Sequence, residues 1–235
     1  MAYIDGFVAP VPGDGQPAYV DHARATGGLF REHGIGRSVE CWAEDVPRGE
    51  QTDFYRAVAA RDGETVVFAW MESASKDVRD AAMAAMMADE RMRDMPMPFD
   101  GRRMIYGGFQ PVLDEGGGSG GYVDGFLLAV PEDRKDVYIE MSRRCAPVFL
   151  RNGAVRHVEA FADDVPDGQV TDFRRAVQAG AGETVVFSWI EWPDKATREA
   201  GMKTAMADPA MGGPEDMPFD GKRMVFGGFT KILEL

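Results

Sequence analysis

The sequence predicts an α+β fold made of two ferredoxin-like βαββαβ units. Three observations carry this: the chain repeats itself, each copy reads strand, helix, strand, strand, helix, strand, and a glycine-rich segment divides the copies. At an offset of 119 residues, Tyr3-Ile4-Asp5-Gly6-Phe7 returns as Tyr122-Val123-Asp124-Gly125-Phe126, and Gly63-Glu64-Thr65-Val66-Val67-Phe68 returns as Gly182-Glu183-Thr184-Val185-Val186-Phe187. After one inserted residue near Pro214, Met97-Pro98-Phe99-Asp100-Gly101 returns as Met217-Pro218-Phe219-Asp220-Gly221. The division is a first repeat over 1–113, a Gly/Ser linker over 114–121 with few side chains to pack, and a second repeat over 122–235.

Each element must hold in both copies. Tyr3 to Val8, Gly36 to Ala43, Thr65 to Glu72 and Arg103 to Phe109 alternate or are rich in β-formers, and read as four strands. Between the first two, Tyr19, Ala23, Thr26 and Phe30 recur at helical spacing, as do Tyr138, Met141, Cys145 and Phe149. Pro147, and Gly27-Gly28 at the matching place, predict a break or kink there. Ser75 to Ala88 and Asp194 to Ala207 are Ala- and Met-rich helices with Ser75 and Asp194 as N-caps, and their methionines read as core. Thr52-Asp53-Phe54 starts a short capped helix that closes over the sheets as a flap. Asp100-Gly101 and Asp220-Gly221 are turns, with Gly supplying a positive φ, and Gly107-Gly108 marks a bulge or close backbone approach. Two such sheets packed face to face bury each other.

The segments Asp45-Val46-Pro47-x-Gly49-x-x-Thr52-Asp53-Phe54-x-Arg56, Gly63-Glu64-Thr65-Val66-Val67-Phe68-x-Trp70 and Met97-Pro98-Phe99-Asp100-Gly101-x-Arg103-Met104-x-x-Gly107-Gly108-Phe109 resemble the YbaA-like bacterial proteins of the domain of unknown function 1428 family. Both halves carry the pattern over nearly their whole length. The resemblance implies a dimeric α+β barrel whose two units are here fused into one pseudo-dimeric chain, and it leaves the function open.

Composition narrows the classes. With 45% hydrophobic residues and a longest apolar run of Phe126 to Val130, the chain reads as globular, with no membrane span. The N-terminal residues lack the pattern of a secretory signal, so a cytoplasmic protein is expected. Cys41 and Cys145 are in no metal-ligand spacing and read as small core residues. A net charge of −13, shared by both halves, disfavours nucleic acid as a partner. No cofactor motif is present, since Gly107-Gly108 has no GxGxxG context, and no metal site is expected.

Alternation places Tyr3, Asp5, Phe7, Glu40, Trp42, Val66, Phe68, Trp70, Glu72, Met104 and Tyr106 on one face, expected to look between the sheets. Their counterparts are Tyr122, Asp124, Phe126, Glu159, Phe161, Val185, Phe187, Trp189, Glu191, Met224 and Phe226. Ile4, Val39, Cys41, Val67, Ala69 and Ile105 are expected to lie under the helices. The functional expectation is a pocket between the sheets for a small aromatic or apolar ligand, lined by Tyr3, Asp5, Phe7, Trp42, Phe68, Trp70, Tyr106, Asp124, Phe161, Trp189 and Phe226. Glu40, Glu72, Glu159, Glu191 and His157 are the weak candidates for acid/base chemistry, His157 because it shares a strand face with Glu159. His22 and His33 read as helix-surface or capping residues. The rival is a non-catalytic binding or interaction module whose inter-sheet face is a filled core and whose acids pair with Arg56 and Arg175 or lie at solvent-exposed strand ends. Pairing of the two repeats is intramolecular, and further oligomerisation is compatible with the sequence.

Overall fold

The computed structural model describes residues 2–93 and 95–235. The first repeat runs β1 (Tyr3–Pro12), α1 (Gln16–Glu32), β2 (Arg37–Asp45), α2 (Phe54–Ala57), β3 (Glu64–Ser73), α3 (Lys76–Ala88), α4 (Glu90–Arg93) and β4 (Ile105–Gly116). The second runs β5 (Tyr122–Pro131), α5 (Lys135–Arg151), β6 (Arg156–Asp164), α6 (Phe173–Ala176), β7 (Glu183–Trp192), α7 (Lys195–Ala205) and β8 (Val225–Glu234). Each repeat is a ferredoxin-like antiparallel sheet, ordered β4-β1-β3-β2 or β8-β5-β7-β6. The sheets join edge to edge at two seams, β2 to β8 and β4 to β6, and close into one eight-stranded barrel. Closure leaves no sheet edge unpaired.

The expected caps form. Val78 and Thr197 donate their amides to Ser75 and Asp194, and Asp53 and Asp172 receive the amides of Arg56 and Arg175. Other local expectations change. Pro147 lies inside α5 without ending it, because the buried stripe of Tyr138, Ser142, Cys145, Ala146 and Phe149 holds the helix to the sheet. That packing outweighs the roughly 3 kcal/mol a proline costs inside a helix. Gly27-Gly28 likewise sits within α1. β4 continues through Gly116, so the linker begins as ordered strand, with Asp114 paired to Arg156. Asp100 bonds the Arg102 amide as expected, but Gly101 does not adopt a positive φ. Gly108 serves close approach: a Cβ there would collide with the Tyr3 hydroxyl, as at Gly228 with that of Tyr122.

Pairing decides which side chains point inward. Ile4 opposes Glu72, Val8 opposes Phe68, Val39 opposes Trp70 and Cys41 opposes Phe68. Opposed residues share a face. Val66, Phe68, Trp70 and Glu72 therefore point into the barrel as expected, but so do Ile4, Val39, Cys41 and Ile105, which were expected under the helices. Tyr3, Asp5, Phe7, Glu40, Trp42 and Tyr106 lie on the outer face, as do Tyr122, Asp124, Phe126, Glu159, Phe161 and Phe226. Alternation reports a period of two and not its phase, and a one-residue change of phase exchanges the faces of a whole strand.

The interior is filled. Phe68 stacks on Phe187 with ring centroids 4.6 Å apart and planes 2° from parallel, and Trp70 stacks on Trp189 at 4.5 Å. Gly6 and Gly125 make room, since a Cβ on Gly6 would sit 2.7 Å from the Phe187 ring. Stacked rings thus occupy the space where a pocket between the sheets was expected. The capped turns α2 and α6 plug one end, where Phe54 packs edge-on against Phe229 and Phe173 against Phe109, each at 5.1 Å. Thr52 donates to the Ala176 carbonyl and Thr171 to that of Ala57, so the flaps lock each other across the pseudo-twofold axis.

Charge closes the other end. Arg37 and Arg156 both donate to Glu72, at 2.7 Å each, and Arg37 also reaches Glu191 at 3.1 Å. The Trp70 and Trp189 indoles donate to Glu72 and Glu191. Burial pushes Glu72 up, but its contacts with Arg156, Trp70 and Arg37 together hold the carboxyl below its ordinary range. Arg56 and Arg175, the expected partners of these acids, instead bond the carbonyls of Gly49 and Gly168 on the surface. Truncating Phe187 to Ala should cost about 3–5 kcal/mol, since it removes half of the central stack in a closed barrel. Urea denaturation of F187A checks this.

Candidate functional site: a pocket under the helices of each repeat

With the barrel interior full, open space lies on its outer face. In the first repeat, the face of β1, β2 and β3 carries Phe7, Glu40, Val67 and Ala69. Above it, α1 brings Tyr19, His22 and Phe30, and the connection to β4 brings Met92, Met97, Phe99 and Met104. They enclose a cavity of about 240 Å³. The second repeat builds its counterpart, about 260 Å³, from Phe126, Leu128, Tyr138, Met141, Phe149, His157, Glu159, Met217, Phe219 and Met224. Rings and thioethers dominate both walls, and a carboxyl group lies at the inner end of each.

The polar end is built from a helix and a strand. Tyr19 of α1 donates to Glu40 Oε2 of β2 at 2.7 Å, and Tyr138 of α5 donates to Glu159 Oε2 of β6 at 2.6 Å. Burial pushes both tyrosine hydroxyls far above their ordinary range, so each remains a donor. Burial also pushes the Glu40 carboxyl up to about 7, against the opposing hydrogen bond from Tyr19. Glu159 has a second partner, His157 Nε2 at 2.8 Å from Oε1. Phe149 packs edge-on against that imidazole at 5.4 Å. The position equivalent to His157 in the first repeat is Ser38.

Glu40, Glu159, His157 and Phe7 line the cavities. Glu72 and Glu191 belong to the ionic closure of the barrel, while Phe68, Trp70 and Trp189 are its core. Tyr3 bonds Asp163 across a seam, and Tyr122 bonds Asp45 in return. Asp5 pairs with Arg79, and burial raises its carboxyl to about 6 against the pull of that guanidinium. Asp124, also raised by burial, pairs with Arg198 and accepts from the Trp192 indole. Trp42 and Phe161 stay on the outer face, packed against Tyr19 and Tyr138. Tyr106 and Phe226 are exposed on the surface.

His22, expected on the helix surface, faces the first cavity, and burial lowers its affinity for a proton. His33 follows α1 and pairs with Asp89. The methionines expected in the core divide: Met86 is buried, whereas Met87 and Met206 are exposed. Cys41 is core, and Cys145 packs at the second cavity. Sequence reasoning missed Tyr19 and Tyr138 as polar partners. The available signal was a tyrosine at matching helical positions in both copies, beside a glutamate at matching strand positions.

Residues 2–101 and 121–221 each match the model of the family described as "Protein of unknown function (DUF1428)". The chain belongs to this family, and carries its unit twice in tandem. It is 57% identical over 114 residues to "Uncharacterized protein YbaA" of Escherichia coli K12, covering 48% of this chain and 97% of that protein. The same figures hold for the protein of that name in Shigella flexneri. Among solved structures, an anthrone oxidase-like protein aligns over 100% of this chain and 92% of its own at a TM-score of 0.56 and 11% identity. A protein of Fusobacterium nucleatum aligns over 99% and 93% at 0.60 and 10%. These two likenesses are of fold. Among the described residues, no helix is long and apolar enough to cross a membrane.

The raised Glu40 carboxyl has a readable consequence. Between its ordinary value of 4.5 and about 7, the folded chain holds a proton that the unfolded chain releases. Stability contributed by the protonated group is complete below pH 4.5 and is lost as pH rises through 7. Glu40→Gln should abolish this loss, which for a largely buried group at a cavity wall open to some solvent screening amounts to about 1–3 kcal/mol. Denaturant unfolding of both proteins at pH 5 and pH 8 should show the variant gaining on the parent at the higher pH.

Proposed function

We propose that the chain binds a small aromatic molecule in each repeat, in the pocket between the helices and the outer sheet face, with the Tyr–Glu pair gripping a polar group at the inner end. The observation that carries this reading is the placement of Glu40 and Glu159, each bonded to a tyrosine, at the ends of apolar cavities of about 240 and 260 Å³. A buried carboxyl in an apolar wall selects ligands with a hydrogen-bond donor, because only these repay its desolvation. Methionines on both walls conform to flat rings and make favourable sulfur–aromatic contacts. Phenols and anilines fit best on these grounds.

A second reading, a non-catalytic interaction module without a small ligand, draws support from the filled barrel interior. The two separate in calorimetry and thermal shift with a panel of phenols, anilines and quinones. The pocket reading expects two equivalents bound, with Tm rising by roughly 5–10 °C at a hundredfold excess over Kd. Ala69→Phe should fill the first cavity and Ser188→Phe the second, each removing one equivalent while the far-ultraviolet circular dichroism stays that of the parent. No binding across the panel would leave the interaction module.

A further inference from the structure

The two pockets share their tyrosine, their glutamate and their aromatic wall, and differ at wall positions that include the residue beside the glutamate, with Arg144 and Asp216 lining the second but not the first. We propose that the second pocket takes a proton from a bound phenol onto His157, and that the first, with Ser38 in that place, binds without proton transfer. This rests on the pocket reading above and adds the chemistry of the ligand and a division of labour between the repeats.

The hydrogen bonds assign the roles. Tyr138 donates to Glu159 Oε2 at 2.6 Å, and the Nε2–H of His157 donates to Oε1 at 2.8 Å. A carboxylate only accepts, so its contact with Nε2 commits the imidazole hydrogen to that nitrogen. Nδ1 is left with its lone pair. It is buried and has no partner among the described residues, on a residue only 3% exposed that forms part of the cavity wall. Buried polar atoms are rarely left so, and a donor carried by the ligand would satisfy this one. Phe149 sets the plane of the ring from the side. Glu159 is a positioning residue, and its negative charge faces the imidazolium that forms.

The step balances without a co-reactant. The ligand's O–H bond breaks, an N–H bond forms at His157 Nδ1, and the electron pair stays on the ligand oxygen. The products are a phenolate and an imidazolium held by the Glu159 carboxylate. The first pocket also has an imidazole, His22, whose Nδ1 is likewise buried and unpartnered. Among the described residues it pairs with no carboxylate, and burial already works against its charged form. A proton placed there would create an uncompensated buried charge.

Nitrophenols test this, because their phenolates absorb visible light and their neutral forms do not. In buffer about one unit below the phenol's own pKa, the parent should bind two equivalents by calorimetry and ionise one. His157→Asn should ionise none of the phenol it binds, while ¹⁵N spectra of the parent should show His157 gaining a proton at Nδ1 on saturation. Ser38→His, which places an imidazole beside Glu40 and Phe30, should ionise a second equivalent. If Ser38→His does not fold, the comparison of the parent with His157→Asn still decides. Two equivalents bound with both phenols neutral would overturn the proposal and leave the pockets standing, as would ionisation unchanged in His157→Asn. Failure of every compound to bind overturns both readings.

Discussion

Everything else in this molecule is arranged around the stacking of Phe68 on Phe187 and Trp70 on Trp189 across the pseudo-twofold axis. Each partner comes from a different repeat, so neither half can complete its core alone. The stack fills the barrel at its waist, and the flaps with Phe54 and Phe173 close one end. At the other end the indoles lead into the Arg37, Glu72, Arg156 and Glu191 network. A buried ion network of this kind adds little net stability against an apolar alternative. Each arginine meets a glutamate of both repeats, so the network ties the two halves together at this end.

A filled interior moves the chemistry outward. With the barrel packed, the apolar cavities lie where helices bridge the outer sheet face, one in each repeat. The glutamates facing them, Glu40 and Glu159, stand one residue out of phase with the inward-pointing Val39 and Val158. That single step separates an acid in a cavity wall from an acid in a barrel core. The pair also shows how duplication frees one copy to change. Seams, flaps and barrel closure constrain both halves equally, whereas Ser38 and His157 differ without disturbing any of them.

Both copies agree on the elements, and the structure agrees with them at nearly every cap and turn, because capping and periodicity are local. The errors lie where a distant strand decides. Alternation in Tyr3 to Val8 is real, yet whether Tyr3 or Ile4 faces the core depends on Glu72 lying opposite Ile4, some seventy positions away. Pro147 misleads for a similar reason: a local rule against helix continuation yields to packing supplied by a distant sheet.

The sequence by itself determined the duplication, the βαββαβ order, the Ser75 and Asp194 caps, and the shared strand face of His157 and Glu159. All follow from near neighbours or from comparing one copy with the other. Only the tertiary structure decided that the space between the sheets is closed, that the usable cavities lie under the helices, and that Tyr138 reaches Glu159 from a different element. The reason is that strand phase and helix seating are set by contacts between residues far apart in the chain, and a linear pattern carries their period but not their partners.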